Sequence, residues 1–145
     1  MCRSVIYRIG LIFIFGIAML HASSGNKVTE KGLKDVFAGK FLIGTALNSN
    51  QITGKDVPSL EILKTHFNSI VAENCMKSGL IQPEEGKFDF ALSDQFVELG
   101  EKNGFFIVGH NLVWHSQAPK WFFTDSDGKE VSREVLIDRM KTHIY

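Results

Sequence analysis

Residues 91–109 read ALSDQFVELGEKNGFFIVG, and the order of signals inside this stretch decides the fold. Leu92, Phe96 and Leu99 recur at helical spacing on one face, and Asn103-Gly104 supplies the left-handed stop that ends such a helix. Phe105-Phe106-Ile107-Val108-Gly109 follows at once, apolar at consecutive positions. A strand with one wet face would alternate, so this run suits a parallel strand buried on both sides. A helix that hands over directly to a buried strand is half of a β/α unit.

The same grammar extends outward. Toward the N-terminus, Ser69-Ile70-Val71-Ala72 is a second buried strand, and Leu60, Leu63 and Phe67 mark a helix before it, with Asp56 or Ser59 as cap near Pro58. Phe41-Leu42-Ile43-Gly44-Thr45-Ala46 is a first strand, residues 48–56 read as loop, and Leu33, Val36 and Phe37 form a short helical face closed by Gly39. A long polar segment with a Glu85-Gly86 turn follows the second strand. Toward the C-terminus, Asp125-Ser126-Asp127-Gly128 lies in a loop, and Ser132 caps a helix carrying Val135, Ile137 and Met140. Strand and helix alternate three times, which implies a parallel sheet with helices outside it.

Two architectures compete. A doubly wound dinucleotide fold wants G-x-G-x-x-G after its first strand, and here that turn reads Gly44-Thr45-Ala46-Leu47-Asn48-Ser49-Asn50, with a single Gly. The expected fold class is therefore α/β, a (β/α)8 TIM barrel, of which this chain carries the first three strand–helix units. Eight units need about 250 residues. The 145-residue chain is expected to be part of such a barrel, since three units alone leave open strand edges.

The formal charge is zero, with Lys and Arg interspersed among Asp and Glu, so no basic face invites a nucleic acid. At the N-terminus, Arg3 and Arg8 flank an apolar run from Ile9 to Leu20 that ends in Ala22, Ser23, Ser24 and Gly25. This is the pattern of an export signal over residues 1–23, leaving a domain over 24–145. The competing reading, a membrane anchor, needs about 20 apolar residues where this run has roughly a dozen. The expected location is secreted or periplasmic, with no membrane association after signal removal. Cys2 leaves with the signal, so Cys75 is alone and the exported chain has no internal disulfide framework.

In a barrel, chemistry gathers at the C-terminal ends of strands. After the second strand comes Glu73-Asn74-Cys75-Met76-Lys77, and after the third Gly109-His110-Asn111-Leu112-Val113-Trp114-His115-Ser116-Gln117. Carboxylate, amide, ammonium and imidazole together can clamp sugar hydroxyls, which both donate and accept. An indole can pack on the apolar face of the ring. Blander readings exist for each. By spacing alone Glu73 and Lys77 are a solvated surface pair, His110 a satisfied interior histidine, and Trp114 and Trp121 core aromatics. His110 and His115 lack the helical spacing of a zinc pair, and Gly128 falls fourth where a calcium loop wants it sixth. No metal or cofactor is expected.

Taken together, Phe41-Leu42-Ile43-Gly44-Thr45-Ala46-Leu47, residues 67–77, Gly86-Lys87-Phe88-Asp89-Phe90 and residues 109–117, running on to Pro119 and Trp121, resemble glycoside hydrolase family 10, the endo-1,4-β-xylanases. The E-N-x-M-K and G-H-x-L-V-W-H-S-Q segments in this order are highly specific. The resemblance implies a barrel that hydrolyses internal β-1,4 bonds of xylan with retention of configuration. It implies substrate-binding roles for Glu73, Asn74, Lys77 and Gln117 on the non-reducing side of the cut. It places His110 and Trp114 at the floor beside the scissile bond, with His115 in the same motif. Xylan and xylo-oligosaccharides are the implied partners. The two catalytic glutamates of such enzymes belong to the fourth and seventh strands, so none is expected before Tyr145 and this stretch alone is expected to be inactive. The alternatives are a β-1,4-glucanase on the same fold and a non-catalytic secreted xylan-binding protein. One departure stands out: Ser78-Gly79 occupies the place where many members carry an aromatic or Pro after the Lys.

Overall fold

The computed structural model describes residues 31–145; the export signal expected over residues 1–23 lies outside the described residues. Three strands, β1 (Gly44–Leu47), β2 (Ser69–Ala72) and β3 (Phe106–Val108), form one parallel sheet in the order β1-β2-β3. Around them lie α1 (Leu33–Val36), α2 (Ser49–Ile52), α3 (Val57–His66), α4 (Ser78–Ile81), α5 (Ala91–Asn103), a 3-10 turn at Lys120–Phe122, and α6 (Arg133–Ile144). Among the described residues, no helix is long and apolar enough to cross a membrane.

Local chemistry explains most of these boundaries. Asp56 caps α3 by accepting from Ser59 N at 3.3 Å, with Pro58 in the first turn where a missing N–H costs nothing. Gly104 closes α5 at φ 67, and Ser132 Oγ accepts from Val135 N at the start of α6. Asn48 Oδ1 accepts from Asn50 N and Gln51 N, while Gln51 Oε1 accepts from Asn48 N. This reciprocal capping box builds the short helix α2 inside residues expected to be loop. The polar segment after β2 likewise holds a short helix, α4.

The register pairs Thr45 with Ile70 and Ile70 with Ile107, and Leu47 with Ala72, all on one face of the sheet. That face packs on the helices: Leu47, Ile52, Leu63, Ile70, Ala72, Cys75, Phe96 and Phe105 form the buried core. Gly100 of α5 allows the close approach. A Cβ there would stand 2.6 Å from Ile107 Cδ1 and Cγ1 and 3.1 Å from Ile70 Cδ1.

The opposite face carries Gly44 and Ala46, Ser69 and Val71, Phe106 and Val108; β2 is buried there at Ser69, while the outer strands β1 and β3 depart from the expected burial on both sides. Phe106 is 60% exposed and Val108 39%, since within these three strands nothing packs opposite them. The first strand also begins later than its apolar run suggested. Phe41 and Leu42 are exposed, and Phe41 stacks on Phe37 at 4.8 Å between ring centroids. The 125–128 segment is a turn, as expected. Asp125 Oδ1 accepts from Asp127 N and Lys129 N at 2.9 Å, and Gly128 takes φ 78.

Candidate functional site

The segments leaving the C-terminal ends of β2 and β3, residues 73–90 and 109–132, lie against each other. Glu73 N donates to Leu47 O at 2.9 Å, extending the ladder by one bond, and its exposed carboxylate has no hydrogen-bond partner among the described residues. The chain then turns, with Lys77 N donating to Asn74 O at 2.9 Å. That turn folds the lysine back: Lys77 Nζ donates to Asn74 Oδ1 at 2.8 Å and also to Gln117 Oε1. Among the described residues Lys77 forms no ion pair with Glu73, so the surface-pair reading fails and the ammonium is committed to two amides.

An ammonium has three N–H donors. Two are taken within the chain, which leaves one for a ligand oxygen. The same Nζ lies 5.3 Å from the centroid of the Trp114 ring, held over its face. The rings of His110 and His115 meet Trp114 edge-on, at 6.4 Å and 5.4 Å between centroids. His110 is exposed, not an interior histidine, and Trp114 is half-buried. Six of the seven residues singled out from sequence (Asn74, Lys77, His110, Trp114, His115, Gln117) are thus joined in one cluster, and Glu73 stands beside it at the strand end. Among the described residues no three His, Cys, Asp or Glu side chains gather as a metal site. Cys75, next to Asn74, is buried, and burial pushes its thiol pKa up. A protonated thiol of this kind is a poor nucleophile.

Gln117 sits at φ 56, a left-handed conformation that costs a non-glycine residue about 1–2 kcal/mol. Two contacts bear on this. Gly79 N donates to Gln117 O at 3.0 Å, and Lys77 bonds the side-chain amide. The backbone bond contributes roughly 1 kcal/mol toward that cost. The side-chain bond is made at an exposed amide where water competes, so it fixes the direction of the amide more than it stabilises the turn.

Several supporting residues were missed from sequence. Arg139 of α6 forks onto Glu85, Nε to Oε1 at 2.9 Å and Nη2 to Oε2 at 3.0 Å. Its Nη1 donates to the carbonyls of Trp121 and Thr124. Gln82, fully buried, accepts from Trp121 Nε1 on its backbone oxygen at 3.1 Å, and its Oε1 lies 2.8 Å from His143 Nδ1. Trp121 is therefore a structural tie, while Phe122 beside it is wholly buried. These contacts span 15 to 61 residues of chain, and no local spacing announces them.

The sequence profile described as glycosyl hydrolase family 10 matches residues 32–145. The endo-1,4-beta-xylanase A of Xylanibacter ruminicola is 55% identical over 132 residues, covering 91% of this chain and 36% of that protein. Among solved structures, a psychrophilic glycoside hydrolase family 10 endo-beta-1,4-xylanase superposes with TM-score 0.73 at 35% identity, over 79% of this chain and 34% of its own. A mutant solved in complex with xylotriose superposes with TM-score 0.71 at 34% identity, over 79% and 34%. The chain thus spans about a third of the length of these relatives. Profile, identity and superposition agree: the chain belongs to glycosyl hydrolase family 10 and carries an N-terminal portion of its parallel β/α fold.

Proposed function

We propose that the protein is a secreted endo-1,4-β-xylanase that cleaves internal xylosidic bonds with retention of configuration, and that this stretch grips the sugars on the non-reducing side of the cut. The observation that carries the reading is the Lys77 ammonium, held between Asn74 and Gln117 over the Trp114 face with one donor to spare. Amide and ammonium groups meet the hydroxyls, and the indole meets the apolar side of a ring. Glu73 at the strand end adds an acceptor, and His110 and His115 border the indole.

Retaining chemistry needs an acid/base and a nucleophile, two carboxylates about 5–5.5 Å apart. We assign these to glutamates outside this stretch, and Glu73 to sugar binding. The names of the relatives support xylan as substrate, as does the xylotriose bound to one of them. Xylose lacks the hydroxymethyl arm of glucose, so a cleft too narrow near Gln117 for that arm would favour xylan over cellulose. Rates of a full-length version on xylan and on carboxymethylcellulose test this; equal rates would sink the specificity. The Arg3 and Arg8 flank and the apolar run after it support export. N-terminal sequencing of the processed protein should begin near Ser23–Gly25, and an unprocessed intracellular product would refute that.

A further inference from the structure

Residues 77–79 hold Gln117 twice, once by side chain and once by backbone. Gly79 is the second residue of α4, a position at which a helix leaves the N–H without an intrahelical partner. That N–H donates to Gln117 O at 3.0 Å. The approach admits no side chain: a Cβ on Gly79 would stand 2.6 Å from Gln117 O and 3.5 Å from its carbonyl carbon. Both are backbone atoms, which cannot swing aside as the end of a long side chain would. Gly79 therefore owes its identity here to a close approach and not to an unusual dihedral angle, because its φ is not in the left-handed region. The unusual dihedral belongs to its partner, Gln117 at φ 56. The amide of that same Gln117 receives Lys77 Nζ, so its aim follows from how its backbone is held.

We propose that Gly79 is a positioning residue for substrate binding. Its missing Cβ lets the α4 N-terminus dock on the Gln117 carbonyl, which holds the left-handed turn and aims the Gln117 amide, together with Lys77, at the sugar. This gives a role to the Ser78-Gly79 departure, and it rests on the reading of Gln117 as a xylan-binding group.

The test is a double-mutant cycle in the full-length enzyme with Gly79→Ala, Gln117→Ala and both, read as KM and kcat on xylohexaose alongside thermal midpoints. Gly79→Ala should raise KM about tenfold with kcat within about twofold, since what is lost is binding and not chemistry. Added to Gln117→Ala it should raise KM no further, because residues that act through one contact are not additive. A general structural role would instead add in full and lower kcat as well. Wild-type KM for Gln117→Ala would bring down the xylan-binding reading. An impaired Gln117→Ala beside an unimpaired Gly79→Ala, or full additivity, would bring down this inference alone. Should Gly79→Ala not fold, amide exchange in the wild-type enzyme decides. Xylotriose should slow exchange of the Gly79 N–H by about fivefold or more relative to the Gln82 N–H of the same helix turn. No differential slowing would overturn the proposal.

Discussion

Replacing Lys77 by Met keeps the unbranched stem and removes the ammonium, so it isolates what the charge does. In the structure two of the three N–H donors go to Asn74 Oδ1 and Gln117 Oε1, leaving the third for the sugar oxygen that the proposed function assigns to it. A hydrogen bond to a charged group is worth about 1.5–3 kcal/mol, or about 10- to 150-fold in affinity. Loss of the cation over the half-exposed Trp114 face adds about 0.5–1 kcal/mol at most. Stability should change little, because Gln117 is exposed and Asn74 half-buried, so water replaces the lost donor. Initial rates on xylohexaose with the full-length Lys77→Met enzyme should therefore show kcat/KM down by about 10- to 150-fold, with the thermal midpoint nearly unmoved. Lys77→Arg should not restore the rate, because a planar guanidinium cannot direct three donors around one point. A loss below about threefold would refute the third-donor argument, as that is less than the weakest charged hydrogen bond allows.

Gly100→Ala sets helix propensity against packing. Alanine gains about 0.8–1 kcal/mol in a helix interior, whereas overpacking costs about 1–3 kcal/mol, and the new Cβ would meet both Ile107 Cγ1 and Cδ1. Urea denaturation should show a net loss of about 1 kcal/mol, partly recovered by adding Ile107→Val; a stabilised single variant would contradict the geometry. His143, packed against Phe122 and Phe88 with Nδ1 on Gln82, has its pKa lowered, first by burial. The unfolded chain then takes up the proton first. Its contribution is fully present above the ordinary value of 6.5 and is lost as pH falls below it toward the folded pKa. Thermal midpoints from pH 8 to 5 should fall less steeply for His143→Gln than for the wild type, and parallel slopes would refute the assignment.

What was legible in the sequence was local. Asp56, Gly104 and Ser132 act within one helical turn of themselves, and each performs the capping role its spacing implied. Strand ends were not legible, because pairing with a neighbour decides where a strand starts. Phe41 and Leu42 read as strand but lie before β1, and β3 keeps three of five apolar residues. Helices α2 and α4 escaped because four residues are too few to show a 3.6-residue period. The site residues were legible only through a family pattern. Physical spacing favoured a surface pair for Glu73 and Lys77, and of the two partners that Lys77 takes instead, Gln117 lies 40 residues away.

The clamp and the frame that carries it are separate sets of contacts, which bears on how the site can vary. Residues 73–90 and 109–132 have little regular structure, and ordering each residue costs about 1–2 kcal/mol of backbone entropy. The hydrogen bonds of the clamp, two from the Lys77 ammonium at partly exposed amides and a few neutral backbone ones at roughly 1 kcal/mol each, are too few to offset that. Burial of Phe122 and the ties made by Arg139 supply more. Removing the guanidinium with Arg139→Met strands the carbonyls of Trp121 and Thr124, at about 1 kcal/mol each. The Glu85 side chain is 54% exposed, so water rescues its carboxylate and the fork itself adds little. The expected cost is therefore about 2 kcal/mol, seen as a lowered thermal midpoint, with kcat/KM at a temperature where the protein is folded reduced far less than by Lys77→Met. The two variants should fall on opposite axes, one losing stability and the other recognition. If Arg139→Met lost catalytic efficiency as severely as Lys77→Met while folded, clamp and frame would be one unit and this separation would be wrong.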